Sequence, residues 1–182
     1  MNTYIALLRG INVGGHKKIK MADLRLKLEE LGFSAVVTYI QSGNIVFKDP
    51  SENIDALEIK IEVAIKKHFG FDVPVLIITH KTLQKVLQHN PYIERLEKRE
   101  IEDKKMYFMW LCDQPDPIVV AELSTVSFDP EEFVIAENVI YLYAAIGYGK
   151  TKLHNNFFEK KLNIRTTTRN LKTLNKLLEL ST

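Results

Sequence analysis

Two short segments concentrate the residues able to do chemistry: Arg9-Gly10-Ile11-Asn12-Val13-Gly14-Gly15 and Gln41-Ser42-Gly43-Asn44. The first follows an apolar run and leads into the basic stretch His16-Lys17-Lys18-Ile19-Lys20, after which a helical pattern begins at Met21. Its glycines let the backbone visit positive φ and lie close to a ligand. A strand, a glycine loop and a helix in that order also point N–H groups at whatever sits in the loop, which favours anions. Arg9 adds a planar fork of donors suited to phosphate or carboxylate, and Asn12, Ser42 and Asn44 add neutral hydrogen-bonding groups. Arg9, Asn12, Gly14, Gly15, Lys17, Ser42, Gly43 and Asn44 are therefore the candidate ligand-binding set for a small anion. These residue types name no reaction and no cofactor, so enzyme and binder both stay open.

A second candidate group lies toward the C-terminus: Lys150, Thr168, Arg169 and Asn170. Gly147-Tyr148-Gly149-Lys150-Thr151 resembles a phosphate-binding P-loop, but the pattern needs glycine where Ala144 stands, and the strand before it belongs to a hairpin. It reads instead as a turn in which Thr151 caps a helix. Thr166, Thr167 and Thr168 before Arg169 read as a helix cap able to hold an anion. The G-x-G-x-x-G fingerprint is absent from residues 10–15, which disfavours a dinucleotide site. The five histidines show no H-x-x-x-H pair and no cysteine partners, so no metal site is expected. Ser42 is not in a G-x-S-x-G elbow, and Cys112, closing an apolar strand, reads as a packing residue.

With 182 residues, 46% hydrophobic and 26% charged, the chain can bury one good core or two small ones. The opening residues lack a charged-then-apolar leader pattern, and no apolar run approaches the ~18 residues that span a bilayer. A lone cysteine fits a reducing cytoplasm. Net charge is +2, but residues 150–182 carry eight Lys or Arg against Glu159 and Glu179, a local +6 that leaves −4 for the rest. A basic end of this kind suits phosphate, nucleic acid or simply solvent.

The elements that must position these residues follow from periodicity. Residues 3–9 read as a strand, and Met21, Leu24, Leu28 and Leu31 as a helix with Gly32 beyond its end. Residues 36–41 and 44–48 form a hairpin about Ser42-Gly43. Ser51 caps a second helix with Ile54, Leu57, Ile61 and Ile65 inward, closed by Gly70. Residues 73–78 form a strand that Pro74 assigns to a sheet edge, and a short helix covers 80–89. The order is β-α-β-β-α-β, the split βαβ or ferredoxin-like pattern. After a charged join at 92–104 the pattern restarts: strand 106–112, a helix opened by Pro117, a hairpin across Glu137-Asn138, then helices at 152–162 and 169–180. The expected fold is thus α+β, with a ferredoxin-like subdomain at 1–91 and a second at 105–182 whose last strand is replaced by helix.

Leu8 to Gly15, Gln41 to Asn44, and Thr167-Thr168-Arg169-Asn170 with Thr173 together resemble the bacterial domain of unknown function 1697 family. Gly149-Lys150-Thr151-Lys152 departs mildly from that family's Gly-Arg-Ser-Lys while keeping charge and hydroxyl. The resemblance implies an α+β fold and these positions, but no activity. Two other functional classes stand beside anion binding. A nucleic-acid module would use the basic C-terminal part, although Asn44–Lys48 lacks the interleaved aromatics of an RNA-reading strand. A partner-binding module would use the glycines only as turns. The topology makes one geometric expectation sharp: the 9–15 loop and the 41–44 hairpin must emerge at the same end of one sheet, where Arg9, Asn12, Ser42 and Asn44 either meet one ligand or only brace the two loops against each other.

Overall fold

The structure is a computed structural model describing residues 1–182. It holds two four-stranded antiparallel sheets and seven α-helices. The chain divides into two compact units, one made of Met1–Gln84 with Lys176–Thr182 and the other of Lys85–Asn175. No helix is long and apolar enough to cross a membrane.

The first unit runs β1 (Asn2–Leu8), α1 (Met21–Glu30), β2 (Ser34–Tyr39), β3 (Asn44–Asp49), α2 (Ile54–Phe69), β4 (Val75–Thr79) and the start of α3 (His80–Gln88). Its strand order is β2-β3-β1-β4, every neighbour antiparallel. The strand period of two sends Tyr4, Ala6 and Leu8 to the helical side. There they pack with Leu24 and Leu28 of α1 and with Leu57, Ile61 and Ile65 of α2. Phe47 and Phe33 bring their ring centroids to 4.6 Å in the same core. Helix α2 ends at Gly70 with φ +78°, the left-handed C-cap expected there. Its N-cap is Asn53, whose side chain accepts from Ala56 N at 3.0 Å. Ser51, expected in that role, stands two residues before the cap and instead receives Asn53 N at 3.1 Å. Strand β4 follows Pro74 directly and lies at the edge. That edge is covered from α2: Glu62 accepts from Val75 N at 3.0 Å and Glu58 from Ile77 N at 2.7 Å, which blunts an otherwise open pairing surface.

The second unit contains α4 (Ile93–Glu97), a 3₁₀ turn at Asp103–Lys105, β5 (Met106–Leu111), α5 (Pro117–Ser124), β6 (Glu132–Ile135), β7 (Val139–Tyr143), α6 (Asn155–Leu162), β8 (Thr166–Asn170) and the start of α7 (Leu171–Leu180). Its order, β6-β7-β5-β8, repeats the first. Here the sequence expectation is corrected: the last strand is not replaced by helix. Thr166–Asn170 pairs antiparallel with β5, Thr168 opposite Met109, because consecutive β-branched threonines fit a pleated surface better than a helix turn. Helix α7 therefore starts at Leu171 rather than Arg169. As in the first unit, a helical glutamate covers this edge, Glu159 accepting from Thr166 N at 2.8 Å. The core joins Met109 and Leu111 of β5, Ile140 and Leu142 of β7, and Phe158 and Leu162 of α6.

Candidate functional site

The end of β1 is clamped on both sides. Leu8 N donates to Gly43 O at 2.8 Å and Arg9 N to Pro74 O at 2.9 Å. Gly43 has φ +75°, and a Cβ placed on it would stand 2.6 Å from Leu8 Cβ, so only glycine lets the hairpin backbone lie this close to β1. The 9–15 loop and the 41–44 hairpin thus leave the same end of the sheet, with Leu7 and Tyr39 both paired to Asn44.

Beyond Arg9 the chain forms an excursion anchored by two buried side chains, Ile11 and Ile19. Asn12 ties it shut. Its Oδ1 accepts from Ile19 N at 2.9 Å, while its Nδ2 donates to Ile19 O at 2.9 Å and to Gln41 O at 2.8 Å. Its φ of +55° is a left-handed conformation that asparagine tolerates better than most residues. Lys17 Nζ donates to the Asp72 carbonyl and closes the far side. Asn44, fully buried, donates to Tyr39 O at 3.1 Å and to Ser42 Oγ at 2.9 Å. The side chains of Asn12, Lys17, Ser42 and Asn44 therefore brace the two loops.

The crown of the excursion differs in kind. Gly14 and Gly15 are exposed with φ +58° and +79°, and their N–H groups donate to no protein acceptor. Successive N–H groups in such conformations form a concavity suited to an anion. His16, Lys18 and Lys20 are exposed on the same stretch.

The second candidate group lies in the second unit and is knitted internally. Arg169 is buried on β8, and its Nη1 donates to Thr167 Oγ1 at 3.1 Å and to Thr168 O at 2.8 Å. Thr168 Oγ1 donates to Asn155 Oδ1 at 3.1 Å, and Asn170 Oδ1 accepts from Thr173 N at 2.8 Å to cap α7. Lys150 is exposed in the turn that follows Gly147. Thr151 does not cap α6, which starts four residues later; its hydroxyl receives Leu153 N at 2.8 Å and donates to Glu131 Oε2 at 2.8 Å.

In the sequence Glu131 and Glu132 read as ordinary loop acids and Arg95 as part of the charged join, yet in this unit they line a pocket. A cavity of about 420 Å³ is lined by Tyr92, Arg95, Phe128, Glu131 and Glu132 among others. Arg95 Nη1 meets Glu132 Oε2 at 2.7 Å. Burial, and then the Glu132 charge, push the Tyr92 phenol up to about 12, with Arg95 opposing. These residues are scattered over 92–132 without periodicity, so no local signal marks them. No group of three or more His, Cys, Asp or Glu gathers as a metal site.

The chain matches the family model described as protein of unknown function (DUF1697) over residues 1–141 and belongs to that family. A solved structure, described as the conserved bacterial protein SP0830 from Streptococcus pneumoniae, is similar to it along its full length. It is 27% identical, with a TM-score of 0.77, covering 100% of this chain and 99% of that one. No curated protein matches.

Proposed function

We propose that the protein binds a small phosphate- or carboxylate-bearing ligand on the Arg9–Gly15 loop, with the Gln41–Asn44 hairpin as its buttress. The observation that carries this reading is the pair of unpartnered N–H groups at Gly14 and Gly15, held at positive φ on a loop braced through Asn12. Bracing supports binding because a loop already fixed loses little entropy when a ligand arrives. Lys18 and Lys20, exposed on the same stretch, supply positive charge, and Arg9 opens the loop. The nucleic-acid alternative draws less support, since Arg169 of the basic C-terminal part is buried among threonines. The shared strand order of the two sheets supports reading 1–91 and 105–182 as two ferredoxin-like halves about the 92–104 join.

A thermal-shift and calorimetric screen of inorganic phosphate, sulfate, dicarboxylates, sugar phosphates and nucleotides tests the proposal. A ligand at ~100 times its Kd stabilises by roughly 2.7 kcal/mol, a Tm rise of about 5–10 °C for a chain of this size. Arg9→Ala and a Gly14→Ala/Gly15→Ala pair should remove that response. A screen in which every anion leaves Tm unchanged would sink the reading.

A further inference from the structure

The geometry points to a second ligand pocket, wholly within the second unit and centred on Glu131, for a small zwitterion bearing a primary ammonium and an anionic group, as a free amino acid does. Glu131 is buried, with 8% of its surface exposed. Its Oε2 receives the Thr151 hydroxyl, whose own acceptor position is filled by Leu153 N. Its Oε1 is equally buried and has no partner. Buried carboxylate oxygens ordinarily accept hydrogen bonds, and one left without them is costly. Thr151 fixes the carboxylate in place while the protein supplies nothing to the second oxygen.

Glu131 stands in the wall shared by two cavities. One is the 420 Å³ cavity beside Arg95, and the other, about 460 Å³, is lined by Asp129, Ile146, Lys150 and Lys152; Ser127 and Phe128 also belong to both. These volumes suit a metabolite rather than a macromolecule. The second cavity is polarised: two carboxylates, Asp129 and Glu131, come from the turn before β6, and two exposed lysines come from the turn after β7. Like charges segregated in this way match a ligand that is itself a dipole. An ammonium brings N–H donors for Oε1 and a charge for Asp129, and the Phe128 ring is a further surface for it. The anionic end falls to Lys150 and Lys152. A plain anion would meet two carboxylates, and a plain amine two lysines.

The test is an amide-resolved NMR titration of the full chain with a panel of free amino acids, each beside its deaminated acid and its decarboxylated amine. Shifts are expected at the amides of Phe128, Asp129 and Glu131 and at 150–152 for amino acids, with both truncated analogues at least about tenfold weaker, the value of one charge-assisted hydrogen bond. Glu131→Gln should weaken binding about tenfold or more, and Lys150→Ala/Lys152→Ala by a similar factor. Arg9→Ala should leave this binding unchanged, so failure here and failure of the anion site are separately visible. If Glu131→Gln does not fold, the wild-type map decides. The idea is overturned if no amino acid shifts residues 128–131, if Glu131→Gln binds as well as wild type, or if the deaminated acid binds equally.

Discussion

The two units are built on one frame and differ in what leaves it. In the first, Leu8 N donates to Gly43 O and Arg9 N to Pro74 O; in the second, Leu111 N donates to Asn138 O and Cys112 N to Arg165 O. Thr79 Oγ1 accepts from Thr82 N where β4 passes into α3, as Asn170 Oδ1 accepts from Thr173 N where β8 passes into α7. Glu58 and Glu62 cover one edge strand, Glu159 the other. Against this match, the connection from the central strand to the next helix runs through residues 9–20 in the first unit and only 112–116 in the second. The short link turns directly into α5, where Asp116 caps the helix ahead of Pro117. The long one carries three glycines at positive φ and its own internal bracing. The frame needs neither, since the second unit closes without them. What the first unit adds is therefore a candidate for function rather than for folding.

The largest expected contrast comes at the paired hairpins. Gly43→Ala forces a Cβ into Leu8 and Ile11 at a left-handed φ, at a cost of about 3 kcal/mol, or a Tm drop of roughly 6–12 °C. Asn138→Ala, at the matching position without positive φ, should stay within about 0.5 kcal/mol. Equal losses by calorimetry would show that the left-handed φ and close approach at Gly43 do not set the two hairpins apart.

Next is Asn12→Ala, which strands the Ile19 amide and two carbonyls. Its expected cost is about 2 kcal/mol, with faster hydrogen exchange at Ile19. Asp113→Ala on the short link of the second unit, whose carboxylate receives only Gln114 N, should cost under about 0.5 kcal/mol. Protection at Ile19 unchanged in Asn12→Ala would remove the bracing from the account.

Alkaline pH sharpens the comparison from the other side. Tyr92, Tyr107 and Tyr141, all raised by burial, stand in the second unit. A phenol whose folded pKa exceeds its unfolded value of 10.0 stabilises fully below pH 10, and that contribution is lost as pH climbs toward about 12. Urea midpoints should therefore fall over this window, and Tyr92→Phe should flatten the fall. An unaltered slope in that variant would assign the alkaline loss elsewhere.

The smallest effect concerns the strand-to-helix caps. Asn170→Ala should cost about 1 kcal/mol, whereas Asn170→Thr, which installs the residue found at position 79, should be nearly neutral. A large loss on Asn170→Thr would give this asparagine a role beyond capping.

Most of the frame was legible because its signals are local. A continuous apolar run marks β1, i, i+4 spacing marks α2, Pro74 marks an edge, and Pro117 opens α5. The Arg9 loop and the Gln41 hairpin meet as topology required. Thr166–Asn170 was misjudged because Thr and Asn serve caps and strands alike, and its pairing with β5 lies more than fifty residues away in sequence. That Asn12 braces the two loops was legible as one of two readings, but its partners Ile19 and Gln41 were not, since tertiary structure fixes them. Asp129, Glu131 and Glu132 read in the sequence as ordinary loop acids; what sets Glu131 apart is an oxygen that nothing satisfies, which only packing reveals.

Membership of Lys176–Thr182 in the first unit has a consequence for how the protein is made. Ser181 is buried there, and its hydroxyl lies 2.9 Å from His80 Nδ1. A ribosome delivers β1 through β4 first, yet the residues that complete their unit arrive only after the whole second unit has been synthesised. At ~5–20 residues per second that wait is on the order of 5–20 s. Throughout it the nascent first unit lacks a piece of its own packing, so its last contacts form when synthesis of the second unit is already finished.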